Sequence, residues 1–143
     1  MKKIKIDVVA VPLSGHLYPT LNLVKPLLDD PTMEIRVFTG PQKKAVAESL
    51  GFTVVPILED KVEEFERAAN NDKKHNLFSA YRQLSRSLDL INYVSDQLLE
   101  EWRVNRPDIV IADFITLSAG FVAEELEIPW ITTIATQFAI ETP

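Results

Sequence analysis

Ile4-Lys5-Ile6-Asp7-Val8-Val9-Ala10-Val11 runs directly into Pro12-Leu13-Ser14-Gly15-His16-Leu17-Tyr18-Pro19. The first half is rich in β-branched residues and nearly continuous in hydrophobicity, which marks a strand buried on both faces. The second half opens a helix over residues 17–29, because Leu17, Leu21, Val24 and Leu28 recur at helical spacing. A strand feeding a helix here puts His16 at the carboxyl end of the first strand. In an open parallel α/β sheet, ligands bind along that edge. A histidine there is placed to act as a base.

The same reading extends along the chain. Pro19 suits a first helical turn, whereas Pro26, lacking an N–H, predicts a kink or a tightening toward the helix end. Residues 34–39 form a second strand, residues 42–50 a short helix with Gly51 as its C′ residue, and residues 52–58 a third strand. Pro56 places that third strand at an edge or marks its end. Residues 59–74 are polar and charged, a loop with one short helix near residues 63–69. Leu77, Tyr81, Leu84, Leu88, Ile91, Leu98 and Trp102 trace a long amphipathic helix, read as core packed on a sheet, that ends before Pro107. Residues 108–112 are a fourth strand, residues 116–126 a helix and residues 129–134 a fifth strand. Strands alternating with helices imply an α/β, Rossmann-like three-layer sandwich with a right-handed parallel sheet. The order 3-2-1-4-5 makes strands 1 and 4 neighbours at the point where the winding reverses.

Composition bounds the function. The chain has 143 residues, enough for one domain with a real core, with 46 % hydrophobic and 25 % charged residues. A formal charge of −6 leaves no basic face for nucleic acid. The absence of cysteine excludes a disulfide framework and thiolate chemistry, and fits a cytoplasmic protein. With 2 histidines and no cysteine, no structural metal site is expected. No apolar run approaches the ~20 residues of a membrane helix, and Asp7 interrupts the one stretch that imitates a signal peptide. Gly15 stands alone, so a dinucleotide fingerprint is missing. His75 sits in a charged run and reads as a surface residue.

Two residues then matter together. Asp113 ends the fourth strand, and the topology sets that strand end beside His16. An aspartate beside a histidine fixes its tautomer and stabilises the imidazolium formed when it takes a proton. Two bland readings stand next to this one: His16 as a helix cap, and Asp113 as an acceptor for turn amides.

Gly15-His16-Leu17-Tyr18-Pro19, followed by Leu21, Leu23 and Leu27-Leu28, resembles the opening motif of UDP-sugar-dependent glycosyltransferases of the GT-B fold, the macrolide and natural-product enzymes above all. Residues 108–113, then Ala119-Gly120, residues 123–126 and Ile128-Pro129, resemble the second N-terminal signature of that family. The resemblance implies that the chain is a single, truncated acceptor-binding domain spanning residues 1–143, the N-terminal half of a GT-B architecture without the C-terminal nucleotide-sugar domain. It implies an inverting transfer in which His16 deprotonates an acceptor hydroxyl and Asp113 balances the charge. No metal and no cofactor beyond the nucleotide-sugar donor are implied. Acceptor-binding positions would be Leu13, Ser14, Phe114, Ile115, Thr136, Gln137 and Phe138, with the loop after Leu58; Ser14 and Gly15 would also contact the donor. Most of these are apolar, which suits a hydrophobic acceptor, and a lipid acceptor would bring the protein to a membrane surface. The donor would be held by a missing domain or a partner chain, so the fragment alone is expected to be inactive. The alternative is a non-catalytic, flavodoxin-like binding or interaction domain in which His16 only caps a helix.

Overall fold

The structure is a computed structural model that describes residues 2–69 and 77–134. Its centre is β1 (Ile4–Val9), which pairs in parallel with β2 (Met33–Thr39) on one side and β4 (Ile109–Asp113) on the other. Enclosure from both edges and both faces explains the continuous apolar sequence of β1. β3 (Thr53–Pro56) and β5 (Trp130–Thr133) complete a 5-stranded sheet of order β3-β2-β1-β4-β5. The parallel Rossmann-like order read from the sequence is the observed one. Among the described residues β3 pairs only with β2, and Pro56 closes it, where a missing N–H does no harm.

Side chains alternate across the sheet and define two cores. Ile6, Val8, Ala10, Val37 and Ile111 face α1 (Ser14–Val24) and α2 (Lys44–Ser49), against Leu17, Leu21, Val24 and Ala47. Val9, Phe38, Val110 and Ala112 face α4 (Leu77–Val104) and α5 (Leu117–Glu125), against Leu98, Trp102, Val122 and Ala123. α3 (Val62–Ala69) joins this second layer through Phe65 and Ala68.

Several local expectations are met and three are corrected. α1 tightens into a 3-10 turn over Lys25–Asp29 with Pro26 at its start, as the missing N–H demands. Gly51 ends α2 at φ +98°, a conformation open to glycine. However, α1 begins at Ser14, three residues earlier than the apolar spacing indicates, so Pro19 lies inside the helix rather than in its first turn. The α4 stripe is core only in its second half. Tyr81, Leu84 and Leu88 are exposed, and the buried register is Leu90, Val94, Leu98 and Trp102. The third correction concerns Asp7, which is more than a break in an apolar run. Its fully buried carboxylate accepts two hydrogen bonds from Arg36, at 2.9 Å from Nε and 2.7 Å from Nη2, and Arg36 reaches on to Glu101 of α4 at 2.6 Å. Burial pushes the Asp7 carboxyl above its ordinary range, against the pull of Arg36.

Among the described residues no helix is long and apolar enough to cross a membrane.

Candidate functional site

The chain leaves β1 through a short connection held by its own backbone. Ala10 N–H donates to Phe38 O and Leu13 N–H to Val11 O. Leu13 is the N-cap of α1, in extended conformation and without a side-chain cap bond. Its carbonyl accepts from the N–H groups of His16 at 3.0 Å and Leu17 at 2.8 Å. His16 is therefore the third residue of the helix and does not cap it. Its ring is turned toward β4 instead.

There Asp113 waits. Val9 is in register with Ala112, so the residue after Ala112 projects at the strand end beside the start of α1. His16 Nδ1 lies 3.0 Å from Asp113 Oδ2 and 3.3 Å from Oδ1. A carboxylate only accepts, so Nδ1 carries a proton, and in the neutral imidazole Nε2 is then the nitrogen with the lone pair. Among the described residues none hydrogen-bonds Nε2. The side chain of Asp113 is 0 % exposed and that of His16 is 19 % exposed. The acid is thus sealed behind an imidazole that reaches solvent, the arrangement in which an orienting carboxylate does most for a base.

Further contacts hold the ring. Phe114 stands 5.5 Å from it, centroid to centroid, tilted by 42°. Thr20 donates its hydroxyl to the His16 carbonyl at 2.9 Å. At the helix start, Ser14 accepts from Lys43 Nζ at 2.9 Å, and Lys43 also lies 5.3 Å from the centre of the Tyr18 ring. Among the described residues no heavy atom lies within 4 Å of where a Cβ on Gly15 would stand. Lys43 was not anticipated, since nothing in a lysine of a short polar helix signals a contact across the strand edge.

Beside this pair lies an apolar pocket of about 240 Å³. The ends of β1 and β3 contribute Val11, Leu13, Ile57 and Leu58, while α3 adds Phe65 and Ala68. Leu90, Ile91 and Val94 of α4 and Ile115 and Thr116 before α5 close the other side. No charged residue is among its described walls. Leu58 adopts a left-handed backbone at φ 64°, with its N–H donated to Gln97 Oε1 at 3.1 Å. That conformation costs a β-carbon-bearing residue of order 1–3 kcal/mol, and here it turns the chain into α3 with the Leu58 side chain buried on the pocket.

Of the acceptor positions read from the sequence, Leu13, Ile115 and the loop after Leu58 line this pocket. Phe114 does not; its ring packs on His16. Ser14 does not either, being exposed on the Lys43 side of the helix start. Thr136, Gln137, Phe138 and His75 lie outside the described residues. The α4 wall was missed because its stripe was read as core alone. The adjacent pair Leu90-Ile91 was the available signal, since it widens the apolar face beyond what one packing seam needs.

A histidine–aspartate pair thus sits at the switch point of a doubly wound parallel sheet, next to an apolar pocket. No protein-family model matches the chain. The chain is 29 % identical over 132 residues to the NDP-glycosyltransferase YjiC of Bacillus subtilis (strain 168), covering 90 % of this chain and 31 % of that protein. The solved glycosyltransferase of kitacinnamycin superposes with a TM-score of 0.72 at 23 % identity, over 95 % of this chain and 31 % of that one. SsfS6, a Streptomyces sp. SF2575 glycosyltransferase complexed with thymidine diphosphate, superposes at 0.69 with 20 % identity, over 92 % of this chain and 38 % of that one. The chain spans about a third of the length of each of these proteins. Its fold is that of a GT-B glycosyltransferase domain, as the two sequence motifs imply.

Proposed function

We propose that this chain is the acceptor-binding part of an inverting glycosyltransferase, with His16 as general base and Asp113 as its orienting acid. The observation that carries this reading is the 3.0 Å contact from Nδ1 of a partly exposed imidazole to a fully buried carboxylate, which leaves Nε2 as the nitrogen not engaged by Asp113. In the reaction, Nε2 takes the proton of an acceptor hydroxyl. The oxygen forms its bond to the anomeric carbon of a nucleotide-sugar from the face opposite the leaving group. The bond to the diphosphate oxygen breaks, and the nucleoside diphosphate departs with the electron pair. Asp113 stabilises the imidazolium without itself accepting the proton.

The pocket beside the pair receives the body of the acceptor. Its uncharged walls favour an apolar molecule carrying few polar groups. Ser14 and Gly15, at the open start of α1, face the donor. The donor itself, a UDP-sugar in this reading, is held by a second domain in the same chain or a partner, and the reaction uses no metal. The likeness in sequence to an NDP-glycosyltransferase and in fold to several others supports this reading.

The test is transfer to an alcohol with the donor-binding part present. His16→Ala lowers the rate by about 10²–10⁴-fold while leaving donor affinity nearly unchanged, and a loss of less than about tenfold contradicts the assignment.

A further inference from the structure

Thr133 sits at the end of β5, in register with Asp113. It is buried. Its hydroxyl lies 3.2 Å from Thr20 Oγ1 and 3.4 Å from the carbonyl of Ala112, the residue before Asp113. Its own carbonyl accepts from the N–H of Phe114 at 3.0 Å. Thr20 gives its only hydroxyl proton to the His16 carbonyl, so the Thr20 oxygen is left to accept from Thr133.

We infer that Thr133 is a positioning residue for the reaction proposed above, setting the spacing between His16 and Asp113 through the chain Thr133 O–H, Thr20 O–H, His16 C=O. One residue of β5 thereby reaches two supports of the imidazole. Its hydroxyl proton holds Thr20 and with it the backbone of His16, and its carbonyl holds the N–H of Phe114, the residue after Asp113, whose ring packs on the imidazole. A loose contact here lets α1 slide along the sheet, and the Nδ1 bond to Asp113 lengthens first, because nothing else joins the two side chains. The base then samples the tautomer with Nε2 protonated, which cannot take a proton from a hydroxyl.

The inference rests on His16 being the base, but its test does not need transfer to occur. Thr133→Val removes the hydroxyl at nearly constant volume, and Thr133→Ser restores it. Nitrogen NMR of His16 in the 143-residue chain reads the tautomer directly. Wild type and Thr133→Ser are expected to show the Nδ1-protonated form alone, and Thr133→Val a mixture. In the transferring enzyme, loss of this one bond lowers kcat by roughly three- to tenfold and leaves the acceptor KM within about twofold, with the serine variant restoring kcat. A pure Nδ1-protonated signal in folded Thr133→Val overturns the inference. If that variant does not fold, Thr20→Val breaks the same link from the other end, and an unchanged tautomer there overturns it equally. A tautomer that responds in an enzyme whose transfer ignores His16 supports the positioning role and removes the base reading instead.

Discussion

Asp113 is the residue whose replacement separates orientation from general packing. In Asp113→Asn the amide can donate to Nδ1, which moves the ring proton to Nε2 and removes the lone pair that accepts from the hydroxyl. Transfer is expected to fall by about 10- to 10³-fold, less than on loss of the histidine, with thermal stability nearly kept because the amide fills the same space. A fall in melting temperature with unchanged kcat would make Asp113 a structural residue. Both members of the pair were legible in the sequence, since each sits at the end of an unmistakable apolar strand and topology alone brings those ends together. Phe114, Thr20 and Thr133 were not legible in these roles. Which way a side chain turns after a strand end depends on the loop it enters, and the residue types Phe and Thr carry no signal for it.

At the scale of elements, the site depends on how closely the β1–α1 connection approaches the end of β2. A Cβ added at Gly40 would lie 2.7 and 2.9 Å from ring carbons of Pro12, a rigid neighbour that cannot swing away. Gly40→Ala therefore displaces the segment that delivers Leu13 and His16. It is expected to destabilise the protein by about 1–3 kcal/mol in denaturant unfolding and to lower transfer as well. The long helix gives the opposite lesson. Its periodicity identified it, yet Tyr81, Leu84 and Leu88 are exposed while Leu90, Val94, Leu98 and Trp102 are buried. Helical spacing records an apolar stripe but not how much of it a partner covers.

Across the whole molecule, α4 is tied to the sheet by the Asp7–Arg36–Glu101 network and closes the apolar pocket with its middle turns. Arg36→Met strands the buried Asp7 carboxylate and is expected to cost about 3–5 kcal/mol, whereas adding Asp7→Leu to it recovers most of the loss. Chemical unfolding of the two variants checks this. Filling the pocket with Leu90→Trp is expected to raise the acceptor KM at least about tenfold with the affinity for the nucleotide-sugar unchanged. An unaltered KM would move the acceptor elsewhere. The layered fold was legible because the strands appear as apolar runs bounded by turn residues and the longer helices are marked by their period. The pocket was legible only at Leu13, Ile115 and the segment after Leu58, since its α4 wall joins these strand ends only in the folded chain.

The claim that His16 takes the acceptor's proton is tested most directly by supplying an acceptor that has none to give. Initial rates of His16→Ala are measured, with the donor-binding part present, on two phenols of one ring system, one neutral and one already ionised at the assay pH. A base role predicts a loss of about 10²-fold or more for the neutral phenol and less than about tenfold for the ionised one. Equal losses on both acceptors would contradict it.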